Sequence, residues 1–373
     1  GITVNYGEVI LGGSVLPEGG SVPTPASNTF KGPITINGGT FTVRTGAALP
    51  TSLPNIVSVG GGNLKLMDSA NFGSLSGDGN VITGTDTALG GTSAERVLKI
   101  TQDINTTYNG LLKDSTGPVL SFEKWGKGML TLGAETSTYH GATRVMEGVL
   151  QVSALGRRGP PDQLSDGQGL YTGSSIGFGN YDKDIAGGAA LLSLDKASGA
   201  NLMIASGAAI SFASTRANTT DRAFTIGVGP LGAGILANSG PTEAALSWFN
   251  RQLTDSNGVG LGIYDNILFS QPNQSATLNL GGRNLGNNIF GMDLHDNGTA
   301  SLNLQKSGDG QWTLGDFIEF NGAYATGPSR SDFTGRTTIY LGTLGLAQDG
   351  VLGAAGGEAV QLVGGNLDLR NVD

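Results

Sequence analysis

Three segments of this chain share one residue pattern without a gap, and this repetition constrains the fold more than any local feature does. The segments are FKGPITINGGTFTV (30–43), YHGATRVMEGVLQV (139–152) and FTGRTTIYLGTLGL (333–346). The shared positions, which we take as the structural repeat, are Phe30, Gly32, Ile36, Gly39, Phe41 and Val43; Tyr139, Gly141, Val145, Gly148, Leu150 and Val152; and Phe333, Gly335, Ile339, Gly342, Leu344 and Leu346.

The first and last copies are related over a longer stretch. Residues 7–66 overlay residues 310–369 at a constant offset of 303, which places Phe30 on Phe333 and Asn63 on Asn366. Ahead of the middle copy, KWGKGMLTLG from Lys124 corresponds to KSGDGQWTLG from Lys306. We therefore predict repeat copies near 4–84, 107–156 and 302–373 within one continuous unit that covers residues 1–373.

Alternation within the copies predicts short strands with one buried face, as in Phe41 with Val43 and Leu150 with Val152. Glycine supplies 64 of the 373 residues, more than twice its usual share of roughly 7%, and it suits tight corners that penalise a side chain. Short strands between glycine corners need neighbours stacked above and below. The sequence therefore predicts an all-β fold of stacked parallel coils, a parallel β-helix or β-solenoid.

Two stretches break the pattern and are predicted to be loop insertions, at about 157–188 and about 215–274. The first follows Leu155 as GRRGPPDQLSDGQG, which is rich in Pro, Gly and Asp. In the second, Pro241 precedes good helix formers, and Leu246, Phe249 and Leu253 fall on one helical face. This spacing predicts one short amphipathic helix, packed on the coils or binding a partner.

The segments 122–152 and 302–369 resemble the passenger-associated transport repeat, also called the autotransporter-associated β-strand repeat. The resemblance lies in KWGKGMLTLG, YHGATRVMEGVLQV, KSGDGQWTLG, FTGRTTIYLGTLGL and the tail VGGNLDL. It implies a right-handed parallel β-helix in a secreted or surface-displayed bacterial protein, commonly an autotransporter passenger or a giant adhesin-like protein. The predicted insertions are longer than those the repeat normally carries.

Charge and composition exclude several classes of function. The chain has 30 acidic and 21 basic residues, a net charge of -9 and no basic stripe, which argues against nucleic acid as a partner. It contains no cysteine, so disulfides, thiolate metal sites and thiol catalysis are excluded. No apolar run is long enough for a helix that inserts into a membrane.

Candidate reactive residues are few. His140 lies inside the repeat and is predicted to be an exposed turn residue; His295 lies beside Asp293 and Asp296, where a solvated turn is expected and an incidental cation site is the alternative. The acidic pairs Asp182 with Asp184 and Asp293 with Asp296 could mimic the carboxylates of β-helical polysaccharide lyases and hydrolases. No spacing in the sequence makes them converge.

Two glycine motifs lack the context that their chemistry needs. GVGPLG (227–232) fits a dinucleotide-binding pattern and GSSIG (173–177) fits a nucleophile elbow, but each requires a following helix that the sequence does not favour. We therefore predict no catalytic, cofactor-binding or metal-binding residues and no cofactor.

The leading expectation is a non-catalytic structural or adhesive rod, acting as stalk, spacer or fibre outside the cell or on its outer membrane. Its insertions could recognise a surface glycan or a protein. One alternative is a subunit of a head-to-tail homopolymeric filament or sheath, because stacked coils expose unpaired strand edges at their ends; an excerpt of a longer rod would explain such edges equally well. The other alternative is a β-helical protein that binds or cleaves polysaccharide.

Overall fold

The structure is a computed structural model, and it describes residues 1–12, 30–44, 55–85, 95–115, 117–156, 174–176, 202–238, 244–254, 260–263, 267–315, 317–320, 323–326, 331–354 and 356–369. All regular elements in these ranges are β-strands. No helix that is long and apolar enough to cross a membrane occurs in the described part of the chain.

The strands are short, with most of them three to five residues long. In chain order they are β1 (Ile2–Val4), β2 (Glu8–Leu11), β3 (Ile34–Ile36), β4 (Thr40–Val43), β5 (Ile56–Val59), β6 (Asn63–Leu66), β7 (Ala70–Phe72), β8 (Ser74–Gly77), β9 (Asn80–Thr83), β10 (Glu95–Thr101), β11 (Thr106–Tyr108), β12 (Leu112–Lys113), β13 (Val119–Trp125), β14 (Met129–Leu132), β15 (Thr143–Val145), β16 (Val149–Val152), β17 (Leu202–Ile204), β18 (Ala209–Phe212), β19 (Asn218–Thr220), β20 (Phe224–Ile226), β21 (Ala233–Ala237), β22 (Leu246–Thr254), β23 (Gly260–Ile263), β24 (Ile267–Phe269), β25 (Ala276–Gly282), β26 (Asn288–Gly291), β27 (Leu302–Lys306), β28 (Gln311–Leu314), β29 (Phe317–Phe320), β30 (Ala323–Thr326), β31 (Thr337–Ile339), β32 (Thr343–Leu346), β33 (Gln361–Leu362) and β34 (Asn366–Asp368).

These strands form four sheets, in which most neighbours are parallel strands from successive coils. The long sheet has 13 strands in the order β1-β3-β5-β8-β11-β14-β16-β18-β21-β25-β27-β31-β33. The seven-stranded sheet runs β24-β20-β17-β15-β13-β10-β7, and the five-stranded sheet runs β12-β9-β6-β4-β2. The nine-stranded sheet runs β30-β29-β22-β26-β28-β32-β34, with β19 and β23 also paired to β22. Pairing is parallel except in β22–β23 and β29–β30.

Each coil passes from one sheet to the next. One coil is formed by β5, β6 and β7, which belong to the long, five-stranded and seven-stranded sheets; later β21, β22 and β24 pass from the long to the nine-stranded to the seven-stranded sheet. Because the long sheet receives one strand from every coil, its 13 strands are the rungs of a rod about 60 Å long at the usual strand spacing. The predicted all-β parallel β-helix is confirmed, and its right-handedness stays a prediction.

Alternating side chains fill the inside of the coil. Along β10, Leu98 and Ile100 are fully buried while their neighbours are half-buried. Leu98 pairs with Phe122 of β13 in the next rung, so apolar side chains stack directly above one another. Full burial of each such side chain contributes roughly 1.5–3 kcal/mol.

The helix predicted around Pro241–Leu253 is wrong, because Leu246–Thr254 forms the strand β22. Ala244, Leu246 and Trp248 are buried at alternating positions, and β22 lies in parallel between β19 and β26. The Trp248 ring packs against Phe224 with centroids 4.9 Å apart. Leu246 fits both the helical and the period-two pattern, and pairing with neighbouring rungs outweighs the helix propensity of the flanking residues.

The two predicted insertions differ in the structure. The range 215–274 contributes β19, β20, β21, β22 and β24 to the stacked sheets, so much of it belongs to the rod. Of the range 157–188, only residues 174–176 are described. Ser174 forms a parallel bridge with Thr136 and an antiparallel bridge with Leu155, and Ile176 is fully buried. The chain therefore returns to the rod inside the first predicted insertion.

Candidate functional site

The apolar positions of the repeat lie in the core of the coil. Each of the following is at most 5% exposed: Ile36, Phe41, Val43, Tyr139, Val145, Leu150, Val152, Phe333, Ile339, Leu344 and Leu346. Phe30 is half-buried and packs against this core. Burial of these side chains assigns them to the rod itself and leaves recognition to its outer faces, corners and ends.

The second glycine of each copy stands at a corner where no other residue fits. Gly39, Gly148 and Gly342 have φ values of 70°, 70° and 71°, a region that costs other residues roughly 1–2 kcal/mol. A Cβ on Gly148 would also press against the carbonyl oxygen of Gly126 in the preceding rung. Glycine is therefore required both by backbone conformation and by the close approach of stacked corners.

The first glycine of each copy also lies against a neighbouring backbone. Gly141 donates its N–H to Leu120 O at 2.9 Å, and a Cβ there would collide with that carbonyl. Gly335 lies over Leu302 in the same way, and Gly32 lies against Gly1. These glycines allow adjacent rungs to approach to pairing distance.

The three copies do not occupy the same side of the coil. In the first copy β3 belongs to the long sheet and β4 to the five-stranded sheet; in the third copy β31 belongs to the long sheet and β32 to the nine-stranded sheet. In the middle copy β15 belongs to the seven-stranded sheet and β16 to the long sheet. The repeat therefore encodes a strand, a corner and a strand, without specifying which corner of the coil they form.

A buried lysine precedes two further glycine corners, Gly126 between β13 and β14 and Gly308 between β27 and β28. Lys124 Nζ is fully buried and donates to Trp125 O at 2.7 Å and Gly126 O at 2.6 Å, with Glu147 O of the next rung at 3.3 Å. Lys306 Nζ donates to Ser307 O, Gly308 O and Leu341 O at 2.8, 2.7 and 3.0 Å. The ammonium groups thus satisfy corner carbonyls that point into the rod.

Burial sets the protonation behaviour of both lysines. Desolvation lowers the pKa of Lys124 to about 8, with Glu147 and Asp103 acting in the opposite direction. Desolvation likewise lowers the pKa of Lys306 to about 8, opposed by Asp309. Sequence reasoning missed these residues as corner caps, although the Lys-x-Gly-x-Gly shared by KWGKG and KSGDG was the available signal.

Other corners are capped by different buried side chains. Gln102 Nε2 donates to Ile104 O at 2.9 Å and Met129 O at 3.0 Å. Tyr108 donates its hydroxyl to Gly79 O at 2.5 Å, and burial raises the pKa of that hydroxyl. Each cap meets the same need, since a buried carbonyl without a partner costs free energy.

The histidines lie in exposed or half-exposed turns. His140 Nδ1 lies 2.6 Å from Asp114 Oδ2, and the His140 side chain is 46% exposed. His295 Nδ1 lies 2.6 Å from Asp332 Oδ1, and its side chain is 32% exposed. His295 therefore pairs with an aspartate 37 residues away in sequence.

The predicted acidic pairs do not form a catalytic arrangement in the described residues. Asp293 is 4% exposed and accepts a hydrogen bond from Asn250 Nδ2 at 3.1 Å. Asp296 Oδ1 instead accepts from the N–H groups of Leu302 and Thr334 at 2.9 and 3.0 Å, as a turn residue does. The pair Asp182 with Asp184 lies outside the described residues, which contain no cluster of three or more His, Cys, Asp or Glu able to hold a metal ion.

The two glycine motifs have structural roles. In GVGPLG the chain passes from β20 to β21, a strand, where a dinucleotide motif would need a helix. Ser175, the central serine of GSSIG, is fully buried and its Oγ accepts hydrogen bonds from Ser153 N and Ala154 N. A serine held in this way is not presented to a substrate.

A polar groove of about 370 Å³ lies on the outer face of the long sheet. Its floor is formed by Thr277 of β25, Asn303 and Gln305 of β27, and Thr338 of β31. Pro230 forms one wall, and the ion pair of Arg336 with Glu358, 2.9 Å apart, forms another. Sequence reasoning did not identify this groove.

The outer face of the seven-stranded sheet carries a charged and aromatic cluster. Lys99 Nζ lies 4.2 Å from the centroid of the Trp125 ring, whose Nε1 donates to Glu123 Oε2 at 3.0 Å. Arg144 lies 3.3 Å from Glu123 on the adjacent strand. These groups satisfy one another and form a solvated ladder across rungs.

Comparison with known proteins finds similarity to a family of repeats and to a bacterial adhesin. The model of the passenger-associated-transport-repeat family matches residues 24–43 and 122–152. The chain is 28% identical over 308 residues to the Adhesin BmaC autotransporter of Brucella suis biovar 1 (strain 1330), a match that covers 82% of this chain and 7% of that protein. No solved structure matches the chain.

Proposed function

We propose that this chain, which the model of the passenger-associated-transport-repeat family matches over residues 24–43 and 122–152, is a non-catalytic segment of an adhesive rod at the outer surface of a bacterium. The long sheet of 13 rungs is the observation that carries the proposal, since it makes the chain an extended scaffold. The name of the Brucella relative, an adhesin, supports the adhesive part. The chain spans about 7% of that relative's length.

The rod is suited to presenting a binding surface, because the residues that hold the coil together lie inside it and polar residues lie on its outer faces. Glycine corners, stacked apolar side chains and buried lysine caps serve the coil. Outward positions of the long sheet such as Asn279, Asn303 and Gln305 are polar and half-buried, so successive rungs present a continuous surface to a partner. Stiffness and reach then follow from stacking, without any reaction.

Adhesion of coated beads tests this proposal. Beads carrying the folded chain are expected to adhere to cultured animal cells more than beads carrying the same chain after heat denaturation. The purified chain should also release no reducing sugar ends from polysaccharides in parallel incubations. Equal adhesion of folded and denatured chains would overturn the adhesive function, and released sugar ends would overturn the non-catalytic one.

Head-to-tail association is a second candidate, and we propose it because both end rungs of the stack are exposed. Leu362 of β33, Val363 directly after it and Leu369 directly after β34 are 57%, 58% and 52% exposed. At the opposite end, Ile10 of β2 is 54% exposed. Two such edges of one repeat could continue the parallel ladder between copies, and a contact of this kind does not close.

Sedimentation of the purified chain tests this association. If copies stack through their end rungs, the mean mass should rise with concentration and fall in the double variant Leu362→Lys/Val363→Lys. Leu285→Lys is the matched control, since Leu285 is 63% exposed but lies between β25 and β26, away from the ends. A single species at all concentrations, or an equal effect of the control, would count against stacking.

A further inference from the structure

The geometry points to a binding site for a neutral, hydroxyl-rich oligosaccharide in the polar groove on the long sheet. The inference rests on the proposed adhesive function, because it names the place where the rod would hold a glycan. It is carried by the floor of the groove, by its unpartnered polar atoms and by the charge of its rim.

The floor of the groove is set by strand register. Thr277 of β25 lies opposite Asn303 of β27, and Gln305 of β27 lies opposite Thr338 of β31. In these strands Leu278, Leu304 and Ile339 point into the core, so the alternate residues point outward. Three successive rungs therefore present hydroxyl and amide groups side by side at the spacing of neighbouring strands.

Several polar side chains in the floor of the groove are able to form hydrogen bonds with a ligand. Thr277 is 3% and Thr338 is 7% exposed, and within the described residues neither hydroxyl has a hydrogen-bonding partner; the same holds for the amide of Gln305. Asn303 differs, because its Oδ1 accepts from Arg336 N at 3.0 Å and is held in place. Recessed polar groups of this kind favour a ligand that both donates and accepts hydrogen bonds, as sugar hydroxyls do.

The rim of the groove selects against charged ligands. Arg336 and Glu358 are 52% and 54% exposed and lie 2.9 Å apart, so each neutralises the other at the mouth of the groove. The whole chain carries a net charge of -9, which repels polyanions. A neutral oligosaccharide therefore fits the groove better than an acidic one.

The size and the wall of the groove agree with this ligand. Its volume of about 370 Å³ lies within the range of small-molecule sites, roughly 300–1,000 Å³. The Pro230 ring forms an apolar wall beside the polar floor. Such a pairing matches a sugar ring, which has an apolar C–H face and a polar rim of hydroxyls.

An array of neutral and uronic-acid-containing oligosaccharides, probed with the purified full chain, tests the proposal. Neutral oligosaccharides are expected to bind, with little dependence on salt. The double variant Gln305→Ala/Thr338→Val should bind roughly tenfold more weakly, because two hydrogen bonds are lost. Thr338→Val keeps the shape of the side chain, and circular dichroism checks that the variant is folded.

The matched control is the double variant Thr131→Val/Gln151→Ala. Thr131 of β14 and Gln151 of β16 are paired outward residues of the same sheet, several rungs from the groove, so this variant should bind like the unmodified chain. Equal loss in the control, unchanged binding in the groove variant, or binding of acidic oligosaccharides alone would each overturn the proposal.

Bead adhesion separates this inference from the function on which it rests. If the unmodified chain adheres to cells but binds no neutral oligosaccharide, the groove assignment is overturned and the adhesive function stands. Adhesion that survives periodate treatment of the cells would assign the contact to a protein partner and would likewise overturn the groove. If the chain binds neutral oligosaccharide through the groove but its beads do not adhere, the adhesive function alone fails.

Discussion

At the scale of single residues, the buried lysines show how the corners of the rod are satisfied. Replacement of Lys124 by Met removes the donor to Gly126 O and Glu147 O and should lower the free energy of unfolding by roughly 1–3 kcal/mol. Urea unfolding measures the change. Lys127→Met is the control, because Lys127 lies in the same corner but is exposed; an equal loss in both variants would refute the capping role.

The same lysines should make stability depend on alkaline pH. The pKa of Lys124 falls from its ordinary 10.5 to about 8 on folding, so between these values the unfolded chain binds more protons than the folded one. Stability from this group therefore rises with pH from about 8 to 10.5 and is lost as the pH falls through 8. The stability deficit of Lys124→Met relative to the unmodified chain should grow over that window, and a deficit that shrinks would contradict the depressed pKa.

Some corner glycines lie against the preceding rung and others do not. Substituting one of each therefore separates the cost of the backbone conformation from the cost of a clash with the neighbouring rung. Gly7 and Gly148 have φ values of 69° and 70°, but a Cβ would meet nothing at Gly7 and would press on the preceding rung at Gly148. Gly7→Ala should cost about 1 kcal/mol from conformation alone. Gly148→Ala should cost at least about 1 kcal/mol more. If the two variants have equal midpoints of thermal unfolding, contact with the preceding rung adds nothing to the cost of the substitution.

At the scale of elements, the short segment Ser174–Ile176 bridges two rungs and buries a side chain between them. The Thr143 hydroxyl donates to Ile176 O at 3.3 Å, Ser137 N donates to Ser174 O at 3.0 Å, and Ile176 is fully buried. Ile176→Ala should therefore lower the free energy of unfolding by roughly 2–5 kcal/mol. Ile104→Ala, at a residue 57% exposed, should change it by less than about 0.5 kcal/mol. Similar values for the two would place Ile176 outside the core.

Strands could be predicted where the alternation of apolar residues repeats, and could not be predicted where they depend on contacts between residues far apart in sequence. The alternation of Leu150 with Val152 indicated a strand, and β16 is one. The segment with Leu246 and Trp248 carried two conflicting periods, and only pairing with β19 and β26 decides between them. The return of Ser174 to the rod had no local signal, because its partners Thr136 and Leu155 lie in different coils.

At the scale of the whole molecule, each rung contacts only its neighbours, so protection should vary along the rod. β16 and β18 pair on both sides, whereas β33 of the last rung pairs only with β31. Hydrogen exchange followed by mass spectrometry should therefore be at least roughly tenfold slower in peptides from β16 and β18 than in those from β33 and β34. Uniform exchange along the chain would instead indicate a single cooperative unit.

The groove could not be predicted from the sequence, because its lining residues come from separate coils of the whole rod. Thr277, Gln305 and Thr338 are ordinary polar residues of separate strands, and only the stacking of three coils brings them together. The core of each copy, by contrast, repeats locally and is visible in one segment at a time. In a solenoid the scaffold is encoded by near neighbours in sequence, and a binding surface is encoded by residues about one coil apart.

The occupation of different corners by the three copies has a consequence for orientation. A unit of strand, corner and strand that fits more than one corner can be added or lost without a whole coil being added or lost. The first strand of the middle copy lies in the seven-stranded sheet, whereas the first strand of each outer copy lies in the long sheet, so its outward residues face a different side of the rod. Duplication of a single unit would therefore change the direction, around the rod axis, in which the outward side chains of all later strands point.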